Sequence, residues 1–99
     1  MKHNNCIEFS EDGFKFFVID DKLDFIREYT LSEKFKVQSA KRSYFSFDIA
    51  GVIKPTSLYF FGGGKFMNIY DEYYDGFHMY VLKDGFELLD TKYLGIYNI

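Results

Sequence analysis

The stretch "DDKLDFIREYTLSEKF", residues 20–35, decides the fold class of this chain. Asp20 or Asp21 is a natural N-cap, carboxylates crowd the first turn, and Leu23, Ile26 and Tyr29 or Thr30 step along one face at helical spacing. The segment reads as a helix. Phe25 lies off that stripe, which implies packing on a sheet through a broad apolar face rather than along a narrow seam.

Everything around this segment reads as strand. Phe45, Phe47 and Ile49 alternate with Ser46 and Asp48, the period of a half-buried strand, and Gly51 and Pro55 bound the short stretch that follows. "SLYFFGGGKFMNIY", residues 57–70, reads as two strands around a glycine turn, and "KYLGIYNI", residues 92–99, as one more strand. Phe77, Met79 and Val81 oppose His78, Tyr80 and Leu82, so both faces of that strand are to be covered, with His78 structural and lying against the sheet. Asp-Gly-Phe occurs at 12–14, 75–77 and 84–86, and Asp-Gly tolerates the positive φ of a tight hairpin turn. The first copy would join 7–10 to 14–19, and the third 77–82 to 86–89. The copies are too few and too unevenly spaced to define a repeat. The expected architecture is α+β: a curved antiparallel sheet or small open barrel of six to eight short strands with one helix packed on it, in a single domain over 1–99.

Composition narrows the function classes. A domain of this length buries only about 60–65% of its unfolded surface, and thirteen Phe with nine Tyr exceed what so small a core needs. Surplus tyrosine belongs at interfaces, where the ring supplies area and the hydroxyl finds a polar partner. The lone Cys6 cannot form an internal disulfide, no apolar run has the length of a signal sequence or membrane span, and the expectation is a cytoplasmic protein. Charge is segregated: residues 1–33 carry four basic and eight acidic side chains, 34–65 six and one, and 66–99 two and six. If the acidic ends adjoin, they present a face that steers a basic partner.

Several chemistries can be weighed by spacing. "FFGGGKF" lacks the spacing and the Ser/Thr of a phosphate loop and fits a hairpin turn instead. His3, Cys6 and His78 lack the second close ligand pair of a structural zinc site, and Cys6 beside Ile7 reads as a buried apolar thiol. "KRSYFSFDIAGVIK" interleaves basic and aromatic residues but fails the pattern of an RNA-binding sheet, and the net charge of −3 opposes phosphate-driven affinity. No catalytic residue, metal site or cofactor is assigned.

The segment "YDEYYDGFHMY", residues 70–80, remains, and Asp71, Glu72 and Asp75 in it do not match a calcium loop. Tyr70, Asp71, Glu72, Tyr73, Tyr74 and Asp75 form the expected partner-binding site: rigid aromatic anchors with an acidic rim, on a hairpin turned by Asp75-Gly76 with Phe77 and Met79 pointing inward. The expected function is a non-enzymatic domain that docks on and inhibits another protein, as a toxin-immunity protein or phage inhibitor does, with a basic nuclease or toxin as the natural target. The alternative is a structural or self-associating module forming a homodimer.

Overall fold

The computed structural model describes residues 7–20, 24–49 and 51–98. Eight strands follow one another: β1 Ile7–Phe9, β2 Lys15–Asp20, β3 Phe25–Leu31, β4 Ala40–Asp48, β5 Pro55–Phe61, β6 Phe66–Asp71, β7 Gly76–Leu82 and β8 Thr91–Asn98. They form two four-stranded sheets, β1-β2-β3-β4 and β5-β6-β7-β8, each an antiparallel meander. The fold is therefore nearly all β, and neither one curved sheet nor a barrel is formed.

The expected helix over 20–35 is replaced by a hairpin. Asp20 ends β2, Asp24 turns the chain at φ 59, and Phe25–Leu31 is the central strand β3, paired to β2 and β4. Aromatic and β-branched side chains at Phe25, Ile26, Tyr29 and Thr30 favour this extended form. The strand hid its period because both faces carry apolar residues. Ile26 and Glu28 are buried against the second sheet, while Arg27 and Tyr29 occupy the opposite face with partial exposure. Asp20 accepts hydrogen bonds from Arg27 Nε (3.1 Å) and Nη2 (2.8 Å). Asp21 and Leu23, also assigned to that helix, lie outside the described residues, as do His3 and Cys6. The regular helical structure described is one 3-10 turn, Val37–Ser39.

A repeat of fifty-one residues runs through the chain: Lys15–Asp20 and Phe66–Asp71 are equivalent strands, as are Phe25–Leu31 and Gly76–Leu82. Its connections match in detail. Leu31 N–H donates to Phe14 O and Phe35 N–H to Gly13 O at 2.8 and 2.7 Å, and the equivalents, Leu82 to Lys65 and Phe86 to Gly64, measure 2.8 and 2.9 Å. Phe35 and Phe86 share positive φ values of 58 and 57, and Asp24 and Asp75 values of 59 and 52. Phe9 meets Phe35 at 5.4 Å between ring centres, and Phe60 meets Phe86 at 5.1 Å. The Asp-Gly-Phe triplets concealed this repeat because they fall at three different places in it: Asp12-Gly13-Phe14 is equivalent to Gly63-Gly64-Lys65, while Asp84-Gly85-Phe86 is equivalent to Glu33-Lys34-Phe35. The third triplet also leads into a turn, and its next strand begins at Thr91 rather than at Phe86.

The sheets stack with opposite faces in contact. The first sheet buries Phe17, Ile19 and Ile26 on the second sheet's Phe60, Met67 and Ile69, with Phe17 and Phe60 rings 4.8 Å apart. Residues equivalent to Phe17, Ile19 and Ile26 are Asn68, Tyr70 and Phe77, which face the other way and stay partly exposed. The packing is thus head to tail, and each sheet keeps one face uncovered. The sheets come nearest at β1 and β5, their first strands.

Candidate functional site

The hairpin joining β6 to β7 gathers the side chains assigned to binding and divides them into two groups. Asp71 is fully buried at its base and accepts from the backbone N–H of Ile53 (2.9 Å), Lys54 (2.9 Å) and Tyr73 (3.1 Å). His78 Nε2 adds a fourth bond at 2.8 Å, and His78 Nδ1 lies 2.8 Å from the Tyr93 hydroxyl. Burial alone would raise the Asp71 pKa, but these donors outweigh it and hold the carboxyl below its ordinary value of 3.8. The carboxylate can only accept, so Nε2 carries a proton, and in the neutral imidazole Nδ1 accepts from Tyr93. Asp71 therefore clamps the connector between the sheets to the hairpin and presents nothing to a partner.

The tip is exposed. Tyr73 and Tyr74 keep 66% and 45% of their surface and meet edge to face at 4.8 Å between ring centres. Asn98 Nδ2 donates to Tyr74 O at 2.7 Å, which ties the tip to β8. Tyr70 donates its hydroxyl to Asp75, and this bond is the main cause of its raised pKa. Glu72 pairs with Lys54 at 3.4 Å on the surface, an interaction worth at most about 1 kcal/mol. The turn spans 72–75 with Asp75 at φ 52, and Gly76 already belongs to β7. This reverses the expected phase of the strand. His78, Tyr80 and Leu82 point inward, and Phe77, Met79 and Val81 outward. His78 is 3% exposed, a structural residue locked between Asp71 and Tyr93.

Beside this network the sheets leave a cleft of about 200 Å³, lined in part by Phe47, Asp48, His78, Tyr80, Thr91 and Tyr93. It is smaller than the roughly 300 Å³ at which small-molecule sites begin. Burial, then the Asp71 charge, raises the Tyr93 pKa, so the hydroxyl keeps its proton at neutral pH. Among the described residues no group of three or more His, Cys, Asp or Glu side chains could hold a metal ion. None of the described helices is long and apolar enough to cross a membrane.

Sequence reasoning passed over the uncovered sheet faces. On the second sheet Tyr59, Phe61, Phe66 and Tyr97 join Tyr70 and Phe77 in an aromatic surface, with Tyr59 and Phe61 stacked at 6.1 Å and Phe61 and Phe66 at 5.3 Å. On the first, Phe16 and Tyr29 stack at 4.7 Å beside the Asp20–Arg27 pair. The spacing that relates Gly13, Asp20 and Phe35 to Gly64, Asp71 and Phe86 is the signal that would have exposed these faces.

Comparisons with protein-family models and with curated proteins find no match. Among solved structures, the chain resembles a protein from Bacteroides uniformis provisionally named a 6-phosphogluconolactonase, with a TM-score of 0.69 at 21% identity. The match covers 94% of this chain but only 25% of that one, so the two stacked sheets correspond to about a quarter of the larger protein, and the likeness is one of fold.

Proposed function

We propose that this protein is a non-enzymatic binding domain that docks on a partner protein through the tip of the β6–β7 hairpin and blocks the surface it covers, as an immunity protein or phage inhibitor does. The observation that carries the reading is the pair Tyr73 and Tyr74, both well exposed yet held edge to face on a turn anchored from below by buried Asp71. Two rigid rings give contact area at small entropic cost. Glu72 and Asp75 beside them supply negative charge that attracts a basic surface such as that of a nuclease or toxin. Relative to the expected site, the rim loses Asp71 and the anchor keeps both tyrosines.

A photoreactive residue in place of Tyr73 would capture the partner in cells, and titration of that purified partner would test the site. Tyr73→Ala and Tyr74→Ala are each expected to weaken binding by about 2 kcal/mol, the scale of an aromatic hot spot, with the melting temperature almost unchanged. Glu72→Gln is expected to slow association and reduce its salt dependence. Wild-type affinity in both tyrosine variants would place the interface elsewhere.

A further inference from the structure

We propose that a second copy of this chain docks head to tail on the first, the uncovered face of its first sheet resting on the uncovered face of the second sheet, so that the packing inside one chain is repeated between chains. The surfaces lie apart from the Tyr73 and Tyr74 rings, meeting that tip at the Tyr70–Asp75 hydrogen bond, and the proposal goes beyond the binding function assigned to it.

The argument rests on equivalent positions. Inside the chain, Met67 and Ile69 are buried in the core shared with the first sheet, and the same face carries buried Asp71, held under the connector at Ile53 and Lys54, and its partner His78. Fifty-one positions earlier stand Phe16, Val18, Asp20 and Arg27, a surface of the same character: an apolar pair followed by a carboxylate and its basic partner. The covered pair Asp71 and His78 has side-chain exposures of 0% and 4%, while the equivalent Asp20 and Arg27 keep 23% and 19%. Val18, Asp20 and Arg27 stay partly exposed, whereas Phe16 is already buried against Phe9 and Tyr29 of its own sheet.

The opposing surface is also prepared. Tyr70 and Phe77 stand at the positions of Ile19 and Ile26, core residues of the internal interface, and Phe66 stands at the position of Lys15. Among them Asn68 carries a buried side-chain oxygen with no hydrogen-bond partner, which is costly as long as the face stays as it is. A contact that joins unlike faces leaves one of each free at the ends, so it propagates until a ring closes. The wedge shape, nearest at β1 and β5, turns successive sheets about those first strands, as four-stranded meanders are arranged in β-propellers.

Sedimentation velocity on the full chain over a range of concentrations tests this. The wild type is expected to form a discrete particle heavier than a dimer. Phe77→Glu, on the second sheet, and Val18→Glu, on the first, are each expected to leave monomers with an unchanged circular dichroism spectrum. Mixed together, they should form a dimer and nothing larger, because each keeps the face the other lacks. A milder pair guards against misfolding: Phe66→Lys would face Lys36 of the neighbouring copy and weaken assembly, and adding Lys36→Glu should restore it by recreating the internal Lys15–Glu87 contact between copies. A monomeric wild type, as expected if further sheets or a different protein cover these faces, overturns the proposal. So does an aggregate indifferent to Phe77→Glu, or a mixture of the two variants that stays monomeric.

Discussion

Replacing Asp71 by alanine is expected to lower stability by about 3–5 kcal/mol, the scale for breaking a buried charged network. The loss leaves the amides of Ile53, Lys54 and Tyr73 and the ring of His78 without their acceptor, all at the base of one hairpin. Asp20→Ala, at the equivalent position, removes an ion pair in which two Arg27 nitrogens share one carboxylate oxygen that water reaches, and should cost only about 1 kcal/mol or less. Denaturant titration of both variants checks the contrast, and equal losses would show that the two positions are not differently covered. The same carboxylate gives the fold an acid limit. Its folded pKa lies below the ordinary value of 3.8, so its contribution is present above that value and is lost as the pH falls through the folded one. Asp71→Asn is therefore expected to be less stable at neutral pH and to lose less than the wild type on acidification, as read from unfolding midpoints at pH steps below 5 or so.

Gly64→Ala should be the second costly change, at about 2–3 kcal/mol from a left-handed backbone plus overpacking. Gly64 has φ +80, and a Cβ there would sit 2.3 Å from the Phe86 ring. That ring packs on Phe60 in the core, and the Phe86 amide donates to Gly64 O, so neither partner can withdraw freely. Gly63→Val tests the backbone contribution alone. Its φ is +69 but nothing lies within 4 Å of an added Cβ, so about 1 kcal/mol is expected, from strain. Gly13, the equivalent of Gly64, would meet Phe35 at 2.6 Å, but Phe35 is 53% exposed and can move, so Gly13→Ala should fall between the two. Melting curves of the three variants give the order directly, and a Gly64→Ala melting point equal to that of Gly63→Val would show that the Phe86 ring yields without cost.

Strand content and turn positions were legible in the sequence wherever local chemistry is decisive. The alternation of Phe45, Phe47 and Ile49, the three glycines at 62–64 and the β-prone run from Phe77 to Leu82 each announce extended chain or tight turn without reference to distant residues. That at least one of Tyr73 and Tyr74 is exposed followed from their adjacency, which sends the side chains of an extended chain to opposite sides, and both are exposed. Tertiary structure decided the rest. Residues 25–31 became a strand because two neighbouring strands pair with them, and their two apolar faces erased the alternation that would have distinguished strand from helix. Asp71 is a clamp and not a rim residue because the connector at Ile53 and Lys54 folds back onto it, a contact seventeen or eighteen residues distant in sequence. Which face of each sheet is buried depends on the stacking of one repeat on the next. Period two places side chains on two faces, but only the neighbouring sheet determines which of them loses its water.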